Sequence, residues 1–318
     1  MTRTECKKRS SGAAALSSDL RAVMATAAAA AVLIIPDTAA SGVRAGLALC
    51  AQSVIPSLFV FLVLSPMLDG ALRIVISRLA GDRLQVRTVA LLSAFAVGMT
   101  AGFPIGALSV LALYNEGVIT KADATRLIGI CTGASPAFLI GYFGRALWND
   151  AMLGLWIWCA QCAVGAALLF CYLRRERHDG CAKPMPAESV PTLAACLRGA
   201  VPRMWGICAS VVFFSVFRAI LCRFLPLGFA AVLGGMAEMT GGLRECAALY
   251  DGGRLGCGAA IVLSAAMIGF GGGCVAMQVA DGVAGTGISM RRYPVQRLLF
   301  AAAAALAAGI YGALMQKI

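Results

Sequence analysis

The chain has 318 residues, of which 60% are hydrophobic and only 13% charged, with a mean hydropathy of +0.84 and a formal net charge of +12. A soluble domain carries roughly 25% charged residues, so the composition excludes a soluble globular protein and points to an all-α, polytopic membrane protein. The positive charge does not indicate nucleic-acid binding: the arginines sit in short segments between apolar runs (Arg73, Arg78, Arg83 and Arg87; Arg174, Arg175 and Arg177; Arg291, Arg292 and Arg297), with no interleaved aromatic residues to stack bases.

In chain order, residues 1–20 read as a cytoplasmic basic tail, 21–173 as a first membrane half, 174–192 as a cytoplasmic linker and 193–318 as a second membrane half. Leu20 to Ile35 reads as a retained first helix, because no small-residue cleavage site stands apart from its alanine run. Val43 to Leu68 is apolar and broken at Pro56, and Leu68 to Val89, with four arginines against two aspartates, reads as a cytoplasmic segment. Val89 to Leu113 is interrupted near Gly102 to Gly106, and the polar stretch YNEGVITKADATR follows it. Leu127 to Phe143 is broken by Pro136. Leu147 to Leu173 is a spanning helix with Trp148, Trp156 and Trp158 placed for an interface belt.

The second half repeats this rhythm. Gly199 to Leu221 is apolar, Pro226 to Leu243 is short and glycine-rich, Gly256 to Val279 is broken at Gly271 to Gly273, and a last helix runs from Leu298 to Met315. The loops around Arg78 and Arg175 both carry cytoplasmic charge, so an even number of crossings joins them. Three apolar segments lie between, so one must dip in and return; Val89 to Leu113, broken at its centre, fits best. Its counterpart, Pro226 to Leu243, then enters from the other side, and the two re-entrant, discontinuous-helix halves form an inverted repeat.

Glycine and proline runs free backbone groups that bilayer depth tolerates only beside protein or water, and paired breaks mark a transporter's binding site. The candidate solute-binding residues are therefore those at the breaks: Thr100, Gly102, Pro104 and Gly106; Thr132, Ser135 and Pro136; Glu238 and Thr240; Gly271, Gly272 and Gln278. Glu238 is the acidic residue in a long apolar stretch, where a carboxylate costs about 2.5–3.5 kcal/mol. It therefore faces a cavity, finds a partner or holds a proton, unless its segment lies near the surface. The hydroxyls of Thr100, Thr132, Ser135 and Thr240 either satisfy freed backbone groups or donate to a solute. Pro104 and Pro136 end one half-helix and start another, and the N-terminus of a half-helix attracts an anion.

The strings GMTAGFPIGALSVLALYNEGVITKADATRLIGICTGASPAFLIGYFG, GGMAEMTGGLREC and IGFGGGCVAMQVA resemble sporulation integral membrane proteins of the YlbJ type, in the nucleoside-recognition or Gate family. The resemblance covers about residues 45 to 312. It implies transport of a small organic anion such as dipicolinate, in the cell membrane or the membrane around a developing spore. Phe103 replaces the family's usual Tyr and Leu108 its Lys, while Ala276 stands where His is expected. An anion would then rest on helix N-termini rather than on a lysine.

A nucleoside-like solute and a non-transporting spore-envelope scaffold are the alternatives; the paired breaks favour transport, since a scaffold has no use for them. The partners expected are the solute, the lipid bilayer and a coupling proton or sodium ion, with a homo-oligomer left open. No cofactor or metal is expected: Cys159 and Cys162 form an isolated C-x-x-C, and His178 is the single histidine. Without a catalytic pair of recognisable spacing, the chain does not read as an enzyme.

Overall fold

Pro36 sits in the first turn of a helix, where its missing N–H costs nothing. From there α1 (Pro36–Leu49) runs through a π-helical turn, π1 (Cys50–Val54), into α2 (Ile55–Ala80). The computed structural model describes residues 28–80, 85–175 and 190–315, with Ala22 and Thr26. The helix expected to break at Pro56 instead continues. Proline removes one backbone donor and crowds the carbonyl four residues back, and the wider π turn just before it absorbs that defect. Gly42 and Gly46 allow α1 to lie against α7, a Cβ on either falling 2.7 Å from the backbone of Val216 or Val212. That is small-residue packing between membrane helices.

The remaining elements follow the two-half rhythm. They are α3 (Val86–Ala101), α4 (Ile105–Asn115), α5 (Lys121–Ile130), π2 (Ala137–Leu147) and α6 (Ala151–Arg175), then α7 (Leu193–Phe224), α8 (Leu227–Ala237), α9 (Met239–Asp251), α10 (Cys257–Phe270), α11 (Gly272–Val283) and α12 (Tyr293–Leu314). No strand occurs among the described residues. Among the described residues, five helical stretches are long and apolar enough to cross a membrane: Pro36–Leu79, Ala151–Arg175, Leu193–Phe224, Cys257–Val283 and Tyr293–Leu314. Trp205, Phe229, Leu306 and Leu314 are at least 65% exposed, an apolar surface suited to hydrocarbon rather than water. The protein is an all-α, polytopic integral membrane protein.

Two pairs of short helices fold back as hairpins. A Cβ on Gly106 would lie 2.6 Å from Gly98 Cα, whereas eight residues of straight helix span about 12 Å. α3 and α4 therefore reverse at Gly102 to Pro104. In the second half a Cβ on Gly242 would lie 3.0 Å from Gly235 N, so α8 and α9 reverse at Glu238. The second hairpin runs from Leu227 to Asp251, eight residues beyond the expected Leu243.

Three expectations need correction. Leu68 to Val89 is not a loop, because α2 stays helical to Ala80; residues 81–84, like most of the 174–192 linker, lie outside the described residues. Its arginines are not simply solvated either: Arg73 pairs with Asp69 and Glu116, and Arg87 is buried against Asp123. Nor is Trp158 in an interface belt. It turns inward and donates to Met99 O at 2.9 Å, while Trp156 donates to Ala307 O across to α12. An indole N–H inside the bundle needs such a partner.

Candidate functional site

Each interruption frees backbone groups, and the first question is what satisfies them. Between α5 and π2, residues 132–135 belong to no helix. Ala134 N–H donates to Gln161 Oε1 on α6 at 3.2 Å. The hydroxyl of Ser135 accepts from Phe138 N at 3.2 Å and so caps π2. The carbonyl of Thr132 accepts from Arg297 on α12, and Cys131 O faces Gly98 and Gly106 so closely that a Cβ on either would overlap it.

In the second half the carboxylate of Glu238 lies at the turn between α8 and α9. Its two oxygens accept from Thr240 N at 2.9 Å and Gly241 N at 2.6 Å, making it the N-cap of α9. At Gly271, between α10 and α11, φ is +87°, a conformation glycine adopts freely. The carbonyls exposed at the end of α10, Gly269 O and Phe270 O, both accept from Arg297, with Nε to Phe270 O at 3.1 Å.

Arg297 thus ties the two broken helices together. It is 1% exposed, its guanidinium lies 4.8 Å over the ring of Phe300, and among the described residues no carboxylate pairs with it. A buried cation without a counter-ion is normally prohibitive. Here α5 and α10 end nearby, each contributing about half a negative charge from its unpaired carbonyls, and the two ends together compensate one guanidinium.

All four interruptions meet at one cavity of about 50 Å³. Phe103 comes from the first hairpin turn, Ser135 from the first broken helix, Glu238, Met239 and Thr240 from the second turn, and Gly271 from the second broken helix. The wall is completed by Val54 and Ser57 next to π1, by Ile207 and Val211 of α7, and by Cys274 and Gln278 of α11. The space suffices for a few waters and not for an aromatic acid. A larger cavity of about 320 Å³ lies farther along α2 and α4, between Ser65, Asp69 and Arg73 on one side and Ser109 and Glu116 on the other.

Of the residues expected at the site, Ser135, Glu238, Thr240, Gly271 and Gln278 line the central cavity. Gln278 is half-buried and donates to Cys274 Sγ. Gly102, with φ +83°, and Gly106 stand one layer behind; a Cβ on Gly102 would lie 2.8 Å from Ser135 N. Pro104 and Pro136 immediately precede α4 and π2. Gly272 lies against the second turn, 3.3 Å from Met236 O to its Cβ position. The hydroxyls of Thr100 and Thr132 bond back to Ala96 O and Ile128 O of their own helices and do not line the cavity.

With this geometry in hand, comparison with known proteins is informative. Over 166 residues, 49% of the chain, it is 28% identical to the sporulation integral membrane protein YlbJ of Bacillus subtilis (strain 168). The match spans 40% of that protein's own length. The similarity supports a YlbJ-type assignment. No family model matches the chain, and no solved structure matches it.

Three groups at the breaks escape a reading of the sequence alone. Arg297 reads as the third arginine of a basic loop, yet it is buried in α12, which begins at Tyr293 rather than Leu298. The signal available was its setting, since LLFAAAAAL follows it directly and makes it an intramembrane arginine. Gln161 and Trp158 are polar-tipped residues on an otherwise apolar helix; each reaches a backbone group more than 25 residues away in the chain, which no local pattern encodes.

Proposed function

We propose that the protein transports a small organic anion, binding it where the four helix interruptions converge. The convergence is the observation that carries this reading: residues from four separate breaks line one cavity, at the positions where discontinuous helices place solutes. The two hairpins read as re-entrant, one from each face, and the halves as an inverted repeat.

The site's electrostatics favour an anion. Half-helices π2, α9 and α11 begin at the cavity and bring partial positive charge with their first N–H groups. Arg297 stands directly behind the wall, its Nε and Nη2 each 3.8 Å from the Cβ position of Gly271. Glu238 illustrates the mode of binding, because its carboxylate already rests on two N–H groups at the start of α9. A solute carboxylate would rest in the same way on π2 or α11, with Ser135 and Thr240 beside it. A dipicolinate-like acid matches this chemistry once the cavity widens, its ring set against the apolar wall that includes Phe103 and Phe138.

One observation favours a second reading, a neutral nucleoside-like solute: no cationic side chain lines the cavity itself, and one carboxylate does. Uptake into liposomes containing the purified protein separates the two. Accumulation of labelled dipicolinate in preference to a labelled nucleoside supports the anion. The reverse preference assigns the second reading. Uptake of neither, by protein that still melts cooperatively, removes transport of both solutes.

A further inference from the structure

We infer that the arginine-rich end of the bundle carries a binding site for the phosphate headgroup of an anionic phospholipid, separate from the central cavity. A third cavity, of about 420 Å³, opens there between α5, α6 and α12, and Arg126, Arg175, Arg291 and Arg292 all line it, with no carboxylate among its lining residues. Arg175, Arg291 and Arg292 form no ion pair among the described residues. Four guanidinium groups around one space raise the local potential and attract an anion. Guanidinium forks match the oxygens of a phosphate in pairs.

The floor of the site is rigid. Asp123 holds Tyr172 through its hydroxyl, and Arg126 lies 5.8 Å over the Tyr172 ring. Gln296 on α12 donates to Arg126 O at 2.7 Å, an approach that Gly129 permits because a Cβ there would collide with the Gln296 side chain. The sites of Arg126 and of the Arg291–Arg292 pair are thereby fixed relative to each other. Preorganisation of this kind reduces the entropy lost on binding.

The source of the phosphate is indicated by the remaining walls. Leu168 and Val295 complete the cavity, and Val295 is 60% exposed on the outer face of α12. A lipid can place its phosphate among the arginines and its acyl chains along these residues, whereas free phosphate uses only the polar half. Basic pockets between membrane helices are suited to acidic lipid headgroups.

The test is retention and stabilisation by defined lipid, measured on the full chain in neutral detergent and independent of any transport assay. Phosphatidylglycerol should raise the melting temperature and remain bound in native mass spectrometry, while phosphatidylcholine with the same chains should do neither. Arg291→Gln with Arg292→Gln should weaken phosphatidylglycerol retention roughly tenfold, as expected for lost charge-assisted contacts. Arg198→Gln with Arg223→Gln, exposed arginines away from the cavity, should leave it unchanged. The matching double lysine variant should fall between, keeping charge without the fork. Undiminished retention in the double glutamine variant overturns the proposal. Equal stabilisation by millimolar inorganic phosphate alone overturns the lipid as the source.

Discussion

The turn of the first hairpin, Gly102 to Pro104, carries no ionisable group; distant Trp158 donates to Met99 O at the end of α3, and the broken helix beside it relies on Gln161 and Arg297 for Ala134 N–H and Thr132 O. The turn of the second hairpin is built around Glu238, which caps α9 with its own carboxylate. Both halves place a hairpin and a broken helix at corresponding points, and Arg297 serves both broken helices, yet the first hairpin turn is neutral while the second carries a charge and supplies its own cap. A repeated backbone plan therefore does not require repeated side-chain chemistry. The difference places an acid on one side of the cavity and leaves backbone and hydroxyl groups on the other.

The largest effect should come from the residue the halves share. Arg297→Met leaves Thr132 O, Gly269 O and Phe270 O without their donor. Each buried carbonyl left without its donor costs about 1–3 kcal/mol. A thermal melt in detergent should show a severely destabilised protein, with Arg297→Lys intermediate. A Met variant that melts like the wild type would mean that each half holds its break without the other.

Next are the glycines. Gly106→Ala should cost about 3 kcal/mol, because its Cβ overlaps the Cys131 carbonyl and backbone must move. Gly271→Ala meets nothing nearer than 3.8 Å and carries only the penalty of positive φ, about 1–2 kcal/mol. Gly271→Val should insert normally yet lose uptake, since the residue lines the cavity. If Gly271→Ala proves as damaging as Gly106→Ala, the break is held more tightly than its neighbours suggest.

These contrasts also show what the sequence could and could not reveal. The breaks were legible because Gly102, Pro104, Pro136 and Gly271 act on their own backbone, a local effect that a local pattern records. The reversal of α3 and α4 falls at the break that Gly102 to Pro104 make in an apolar run. The second hairpin runs past the expected Leu243, since LREC after Gly242 looks like the polar exit of a segment when it is the middle of α9. Arg297 was misplaced because two neighbouring loop arginines disguised it. Gly42 and Gly46 form a G-x-x-x-G that predicts helix packing, but its partner, α7, lies some 170 residues on.

A smaller effect should appear in acid, and only in the first half. Asp123 lies in the first turn of α5, outside the spanning helices. Burial pushes its carboxyl up, but hydrogen bonds from Arg87, Tyr172 and Thr120 outweigh this and hold it below the usual carboxylate range. A depressed folded-state pKa contributes stability that is present above the unfolded value of about 4 and lost as pH falls through the folded value. Melting temperature should therefore fall at acid pH, and Asp123→Asn should be destabilised at neutral pH with a flatter acid limb. An unchanged acid limb in that variant would mean that another carboxylate governs the loss.

The mildest change to the fold, and the most informative about function, is Glu238→Gln. Glutamine keeps the shape and one acceptor oxygen, so one of the bonds to Thr240 N and Gly241 N survives while the other N–H faces an amide donor. Loss of part of an N-cap costs about 1 kcal/mol, small enough for normal insertion and a modest drop in melting temperature. The functional consequence differs with the role of the charge. A carboxylate that takes up a proton during transport loosens its hold on the start of α9 each time it is neutralised, keeping the carbonyl oxygen as an acceptor and releasing one N–H at the cavity for a solute; glutamine cannot alternate in this way. Uptake in proteoliposomes should then be lost, or should lose its dependence on external pH. If Glu238 only caps α9, the variant should follow the wild-type pH profile throughout. The solute would then be bound by backbone and hydroxyl groups alone, and the asymmetry between the two hairpin turns would concern folding rather than transport.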